Sequence, residues 1–151
     1  MNNHYYLLDT CTVSDFIRGH ANVLSKIKTL SPQHLAVSSI TVMELEYGLK
    51  LNAQRAKKLE TVINKFLENI HILAFEPEDA RTAATIRAIL RTQGTPIGPY
   101  DVLLAGCALR RGLIFVTSNT KEFQRISGLR LENWRSDMTH ESIHFFEMQR
   151  K

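Results

Sequence analysis

Short apolar runs alternate with longer amphipathic stretches along this chain, and this alternation limits its possible folds more than any other feature. Four runs of mainly apolar residues occur at 5–8, 35–37, 70–73 and 113–116. A short apolar run bounded by polar residues is typical of a strand buried on both faces of a parallel sheet. Helix-like stretches separate the runs, and a final edge strand is predicted over 129–134. The sequence therefore predicts one α/β domain with a twisted, mostly parallel sheet of four or five strands between helices.

The size and composition of the chain fit a single domain that folds without a disulfide or a structural metal. Its 151 residues are 44% hydrophobic, which is enough to bury a full core. Cys11 and Cys107 show no metal-binding or redox spacing, so we expect two small buried thiols in a reducing cytoplasm. No signal peptide and no run long enough to span a membrane are present in the sequence. We therefore expect a cytoplasmic protein without a membrane segment.

Two acidic residues follow predicted strands. Asp9 comes directly after the first run, and Glu122 follows the fourth run and the polar residues 117–119. In open α/β sheets, ligands bind beyond the carboxyl ends of the strands, so both positions suit chemistry. The alternative for each residue taken alone is a helix cap, which is a common role for Asp after a strand.

A third acidic residue lies on a predicted helix that begins after Ser38 and Ser39. We predict that the inward face of this helix contains Glu44 together with four apolar residues, Ile40, Met43, Tyr47 and Leu51. A carboxylate on an apolar face needs a partner, because an unpaired buried charge costs several kcal/mol. The helix itself offers no Lys or Arg at a suitable spacing.

The fourth acidic residue, Asp101, stands in the first turn of an almost wholly apolar helix. The segment 96–99 before it contains two prolines and a glycine, which favour a tight turn and a helix start. Asp101 precedes Leu104 and Ala105 on one face, so its side chain is predicted to point toward the end of the sheet. Capping is again the simpler alternative.

These four acids, Asp9, Glu44, Asp101 and Glu122, are all predicted to lie toward one end of the sheet. Four neighbouring carboxylates cannot all stay ionised without compensation, because like charges raise one another's pKa values. A hard divalent cation supplies that compensation, and carboxylate oxygens and water are the ligands that Mg²⁺ and Mn²⁺ prefer. The whole chain has a net charge of +4, which suits a polyanionic partner. An acidic pocket in a basic protein indicates metal-assisted phosphodiester hydrolysis.

The order of these segments resembles the PIN-domain ribonucleases, in particular the VapC toxins of type II toxin–antitoxin modules. The resemblance rests on Leu7-Leu8-Asp9-Thr10, on 38–48 around Glu44, on 96–101 and on 116–123, with 128–134 after them. It implies that Asp9, Glu44 and Asp101 bind the metal and that Glu122 is a fourth, more peripheral catalytic acid. Cys11 departs from the family pattern, in which Asn commonly occupies this position.

The resemblance also implies an activity and partners. It implies the toxin component of a toxin–antitoxin module, acting as an Mg²⁺-dependent or Mn²⁺-dependent endoribonuclease on cellular RNA, with tRNA as the leading candidate. It implies a cognate VapB-like antitoxin that directs a basic side chain toward the acids. It also implies a centrally placed first strand and a homodimer, for which the helical region 50–69 is the candidate contact.

Polar side chains beside the acids are candidates for orienting them. The hydroxyls of Thr10 and Thr117 and the amide of Asn119 lie next to predicted strand ends. We expect these groups to orient the carboxylates or a bound water, with plain turn formation as the alternative.

The predicted nuclease domain covers 1–135, and 136–151 form a tail that is either disordered or in contact with a partner. The tail contains His140-Glu141-Ser142-Ile143-His144, an HExxH pattern that can hold zinc on a helix. A zinc protease needs a third protein ligand, for which the sequence offers only Glu147, so we interpret the pattern as a coincidence. The remaining alternative is a non-catalytic RNA-binding or protein-binding α/β module whose acids only cap helices.

Overall fold

A five-stranded parallel sheet forms the centre of the protein in a computed structural model, which describes residues 5–136 except the side chain of Arg55. The strands are β1 (Tyr6–Leu8), β2 (Leu35–Ser38), β3 (His71–Leu73), β4 (Ile114–Val116) and β5 (Leu131–Glu132). Their order across the sheet is β3-β2-β1-β4-β5, and every neighbouring pair is parallel. The predicted parallel α/β fold and the central position of the first strand are therefore confirmed.

Helices connect every pair of consecutive strands within residues 5–136. They are α1 (Thr10–Ile17), α2 (Ala21–Lys28), α3 (Ser39–Leu51), α4 (Ala53–Asn69), α5 (Pro77–Thr92), α6 (Pro99–Arg111) and α7 (Thr120–Phe123), with a single 3-10 turn at Pro32–His34. In this described part of the chain, none of the helices combines the length and apolar content needed to cross a bilayer.

The sheet divides the core into two layers, because successive residues of a strand point to opposite faces. Leu7 and Phe115 belong to the cluster that includes residues of α5, α6 and α7. Leu8 and Val116 belong to the cluster that includes residues of α1, α2, α3 and α4. Both faces of the central strands are covered, which explains why these strands are continuous apolar runs rather than alternating ones.

The inward face predicted for α3 is wrong at three of its four apolar positions, whereas Ile40 packs against the core as predicted. Met43, Tyr47 and Leu51 are 41%, 60% and 69% exposed, whereas the buried residues are Thr41, Leu45 and Leu49 at a spacing of four. Side-chain hydrophobicity alone pointed to the wrong stripe, because Thr41 is a polar residue that lies against α1: its hydroxyl oxygen is 3.2 Å from Thr10 Oγ1.

Three smaller predictions also need correction. The long helix predicted over 50–69 is divided at Asn52, which separates α3 from α4. The last strand is shorter than predicted and contains only Leu131–Glu132. Cys107 is buried as expected, but Cys11 is exposed, because it lies in the first turn of α1 at the open carboxyl edge of the sheet.

Candidate active site

Asp9 lies where β1 passes into α1, and the backbone fixes it there. Its N–H donates a hydrogen bond to the Val116 carbonyl oxygen at 3.0 Å, which joins Asp9 to the end of β4. Its Oδ1 accepts a hydrogen bond from the Thr12 N–H at 2.7 Å. Asp9 therefore caps α1, and the same side chain, only 6% exposed, is held at the sheet edge.

Glu44 reaches the same edge from α3. It is half-buried beside Leu45, and its Oε1 accepts a hydrogen bond from Thr10 Oγ1 at 2.8 Å. Thr10 directly follows Asp9, so this contact joins the start of α1 to the middle of α3. The predicted orienting contact of Thr10 thus involves Glu44.

Asp101, in the first turn of α6, folds back over Gly98. A Cβ atom on Gly98 would lie 2.9 Å from Asp101 Oδ2, which is closer than real Cβ atoms come to other atoms. The carboxylate can take this position because residue 98 has no side chain. Sequence reasoning named Gly98 only as part of a tight turn, although its place three residues before an acid in a Pro-rich segment was an available signal.

Glu122, in α7, is held by the loop after β4. Asn119 Nδ2 donates a hydrogen bond to Glu122 Oε2 at 2.8 Å, and the Asn119 N–H donates to Thr117 Oγ1 at 3.0 Å. The Thr117 hydroxyl also lies near Asp9 and lowers the pKa of its carboxyl group. Thr117 and Asn119 thereby connect the acid after β1 with the acid in α7.

Three of the acids act electrostatically on the fourth, Asp101. Partial burial, followed by the negative charges of Asp9, Glu122 and Glu44, raises the pKa of Asp101 to about 6. Burial also raises the pKa of Asp9, against hydrogen bonds from Thr117 and Thr12 that lower it. Among the side chains that the structure describes, none of the four forms an ion pair with Lys or Arg.

This edge is chemically suited to a hard divalent cation. Carboxylate oxygens are the donors that Mg²⁺ and Mn²⁺ prefer, and repulsion among the acids is relieved by a positive ion. No three His, Cys, Asp or Glu side chains of the described chain stand in an arrangement that could by itself hold a metal ion. Mg²⁺ commonly keeps several waters and takes only one or two carboxylates, so the donor set fits such an ion.

Sequence reasoning missed another acid, which is buried near this edge. Asp15, in α1, is 5% exposed and accepts hydrogen bonds from Arg135 Nε at 2.6 Å and from an Arg135 terminal nitrogen at 2.7 Å. Its charge contributes to the raised pKa of Asp9. Asp15 differs from the four predicted acids because it is paired within the chain. The HExxH pattern at 140–144 and most of the predicted tail lie outside the described residues.

Comparison with known proteins agrees with this architecture. The model of the PIN domain matches residues 6–129, a span that contains all four acids. The chain belongs to the PIN-domain family.

Within that family the chain is similar to VapC ribonucleases. It is 37% identical over 129 residues to the tRNA(fMet)-specific endonuclease VapC of Salmonella typhimurium, covering 85% of this chain and 97% of that relative. It is 38% identical over 130 residues to ribonuclease VapC2 of Haemophilus influenzae, with the same coverage of 85% and 97%.

The chain is also similar to solved VapBC structures. The chain matches DNA-bound VapBC from Salmonella typhimurium with a TM-score of 0.80 and 35% identity, covering 87% of this chain and 98% of that one. It matches VapBC2 from Rickettsia felis, bound to a promoter DNA fragment, with a TM-score of 0.79 and 30% identity, covering 86% and 98%.

Proposed function

We propose that this protein is the toxin of a toxin–antitoxin module and a metal-dependent endoribonuclease that cleaves tRNA, with initiator tRNA as the first substrate to test. The observation that carries the proposal is the group of four carboxylates at one sheet edge, without a basic partner in the described chain. The substrate follows from the name of the relatives, tRNA(fMet)-specific endonuclease VapC.

In this proposal Asp9, Glu44 and Asp101 hold Mg²⁺ or Mn²⁺, one or two of them directly and the rest through bound water. When bound, the ion activates a water molecule and stabilises charge on the leaving oxygen. Asp9 is positioned by β1, β4 and the start of α1, whereas Thr10 fixes one oxygen of Glu44. Glu122 lies at the periphery, where Asn119 restrains one of its oxygens. The protein thus contributes prepositioned acids whose repulsion favours cation binding.

The antitoxin part of the proposal is supported by two observations. Structures similar to this chain are VapBC toxin–antitoxin complexes. An apolar groove of about 510 Å³ also lies between α2 and α4, lined by residues such as Ile27, Val62 and Phe66. Thr10 and Glu44 line a neighbouring cavity between α1, α3 and α4. An amphipathic antitoxin segment in these depressions would bring a basic side chain to the acids, where it would compete with the metal.

A homodimer stays a prediction, and a contact centred on α3 is an alternative to one centred on the helical region 50–69. The exposed apolar stripe Met43, Tyr47 and Leu51 of α3 is the better candidate, because exposed apolar patches favour association. Sedimentation of the purified protein at micromolar concentration will distinguish monomer from dimer.

The activity is tested with purified protein and labelled initiator tRNA, with an elongator tRNA as the comparison substrate. We expect cleavage in Mg²⁺ or Mn²⁺, none in excess EDTA and inhibition by the cognate antitoxin, with weaker inhibition as Mg²⁺ is raised. The Asp9→Asn variant is the control for contaminating nuclease. Cleavage that is equal for wild type and variant would refute the assignment, and RNA binding by both without cleavage would favour a non-catalytic binding module.

A further inference from the structure

Two arginines of α5, Arg87 and Arg91, stand beside the segment that carries Asp101. They are four residues apart, so they lie on one face of the helix, and both are exposed. Together they line a cavity of about 420 Å³, whose other lining residues are Leu90, Pro96, Ile97, Pro99 and Val102. The lining contains two guanidinium groups and no acid.

This cavity and the acidic edge share one stretch of chain. Ile97 and Pro99 line the cavity, and Gly98 between them is the residue over which the Asp101 carboxylate folds. Val102, the next residue after Asp101, also lines the cavity. A polymer that passes over Asp101 can therefore continue along the segment 97–102 toward the two arginines.

Like Arg18 and Arg125, the two arginines form no ion pair in the described part of the chain, whereas other arginines near them do. On the same helix, Arg81 pairs with Glu78, and Arg110 and Arg111 of α6 pair with Asp79. Within residues 5–136, Arg87 and Arg91 form no ion pair, so their guanidinium groups are available for an external anion. Arginine binds phosphate with two parallel hydrogen bonds, which makes an unpaired arginine pair a good phosphate site.

We propose that Arg87 and Arg91 bind backbone phosphates of the RNA substrate on the Asp101 side of the acidic edge. The apolar lining from Ile97 and the prolines would contact the sugar and base between those phosphates. This inference rests on the proposed function, and it names the side of the site along which the RNA strand runs. The sequence alone left the RNA-binding surface spread over all basic residues.

The test compares Arg87→Gln, Arg91→Gln and the double variant with wild type in cleavage kinetics and in RNA binding at several salt concentrations. Binding is measured by fluorescence anisotropy of labelled initiator tRNA in EDTA, so that no cleavage occurs. We expect each substitution to reduce kcat/KM on the order of tenfold, mainly through KM, since a hydrogen bond to a charged group is lost. The slope of log affinity against log salt should fall by about 0.7–0.9 for each phosphate contact removed.

Two control variants separate a specific site from a general loss of charge. Arg81→Gln removes one exposed arginine of the same helix, and Lys57→Gln with Lys58→Gln removes two exposed charges from α4 on the other face of the sheet. Both should leave KM and the salt slope close to wild type. Arg87→Lys with Arg91→Lys should restore the salt slope and only part of the affinity, because the charge is kept without the bidentate geometry.

The outcomes distinguish this inference from the proposed function. If wild type cleaves and the double glutamine variant has the salt slope and KM of the Lys57/Lys58 control, the arginine site is refuted and the nuclease assignment stands. If wild type fails to cleave, the nuclease assignment fails, and the EDTA binding series still decides whether the arginines contact RNA. Equal salt slopes in that series would refute the site in either case.

Discussion

Two clusters of acids in this protein show opposite electrostatic behaviour. One is the acidic edge formed by Asp9, Glu44, Asp101 and Glu122. The other surrounds Asp79 at the start of α5, whose side chain is completely buried. Arg110 Nε lies 2.9 Å from Asp79 Oδ1, and a terminal nitrogen of Arg111 lies 3.2 Å from Asp79 Oδ2.

The pKa values follow this difference in partners. Burial raises the pKa of Asp79, but hydrogen bonds from the Glu76 N–H, Arg111 and Arg110 outweigh it, and the net shift is downward. At the acidic edge, burial and neighbouring charges raise the pKa of Asp101 to about 6. Burial alone therefore does not mark a functional acid. A candidate functional acid is one that is buried or half-buried and has no basic partner in the chain, because binding of an external cation is then favoured.

The largest expected effect is the loss of cleavage in Asp101→Asn. Removing one group from a preorganised catalytic site typically lowers kcat by about 10²–10³-fold. Thermal unfolding should be unchanged or shifted upward, since a repelled charge is removed. Single-turnover cleavage and calorimetry check the two parts, and a variant that is both inactive and unfolded would assign Asp101 to structure instead.

For Asp79→Asn we expect the protein to lose stability and to keep its cleavage activity. This change leaves two arginines without their buried counter-charge, so we expect a loss of unfolding free energy of about 3 kcal/mol. Urea denaturation measures it, with Glu78→Gln as the control, because the exposed Glu78–Arg81 pair contributes less than about 1 kcal/mol. Cleavage per folded molecule should stay at the wild-type level. An unchanged urea midpoint would contradict the comparison between the clusters.

Thr10→Val tests how firmly the acidic edge is held. The substitution keeps the shape of the side chain and removes the hydrogen bond to Glu44. We expect a decrease of about tenfold in Mg²⁺ affinity or cleavage, the low end for groups that orient metal ligands. Mg²⁺ titration of cleavage measures the effect. Thr85→Val is the control, because Thr85 bonds only a carbonyl within α5, and equal titrations for both variants would exclude an orienting role for Thr10.

The smallest expected effect is on stability as pH changes in the absence of metal. The pKa of Asp101 is raised in the folded protein, so the folded state holds its proton more tightly than the unfolded state. Stability from this group is therefore present below about pH 4 and declines as pH rises through about 6. Because Asp101 is half-buried, we expect the free energy of unfolding to change by only on the order of 1 kcal/mol.

The Asp79 contribution has the opposite sign. Its pKa is lowered in the folded state, so its stabilisation is present at neutral pH and disappears as pH falls below the unfolded value.

The Asp101 effect is measured by the midpoints of unfolding between pH 4 and 7. These midpoints should decline less with rising pH in Asp101→Asn than in wild type. Adding Mg²⁺ should also reduce the decline in wild type. Identical pH profiles for wild type and Asp101→Asn would contradict the raised pKa of Asp101.

Much of this architecture was already determined by the sequence. Short apolar runs require burial on both faces, and helices between them require parallel pairing, so the order of elements implied the sheet. The position of Asp9 followed from its place directly after the first strand, because all strands of a parallel sheet have their carboxyl ends at the same edge. Local residue order therefore determined where this acid lies, and the catalytic role of Asp9 stays a prediction.

The tertiary structure alone decided features that depend on contacts between distant segments. The buried face of α3 depends on other segments, because Leu45 and Leu49 pack in the core cluster that contains Val13 and Phe66 and Thr41 lies against Thr10, 31 residues away in α1. Whether an acid is compensated also depends on distant residues: Arg135 reaches Asp15 across 120 positions, whereas Asp101 has no cation beside it in the described chain. Periodicity reports which residues share a face, but the charge that an acid meets there is set by segments that only the folded chain brings together.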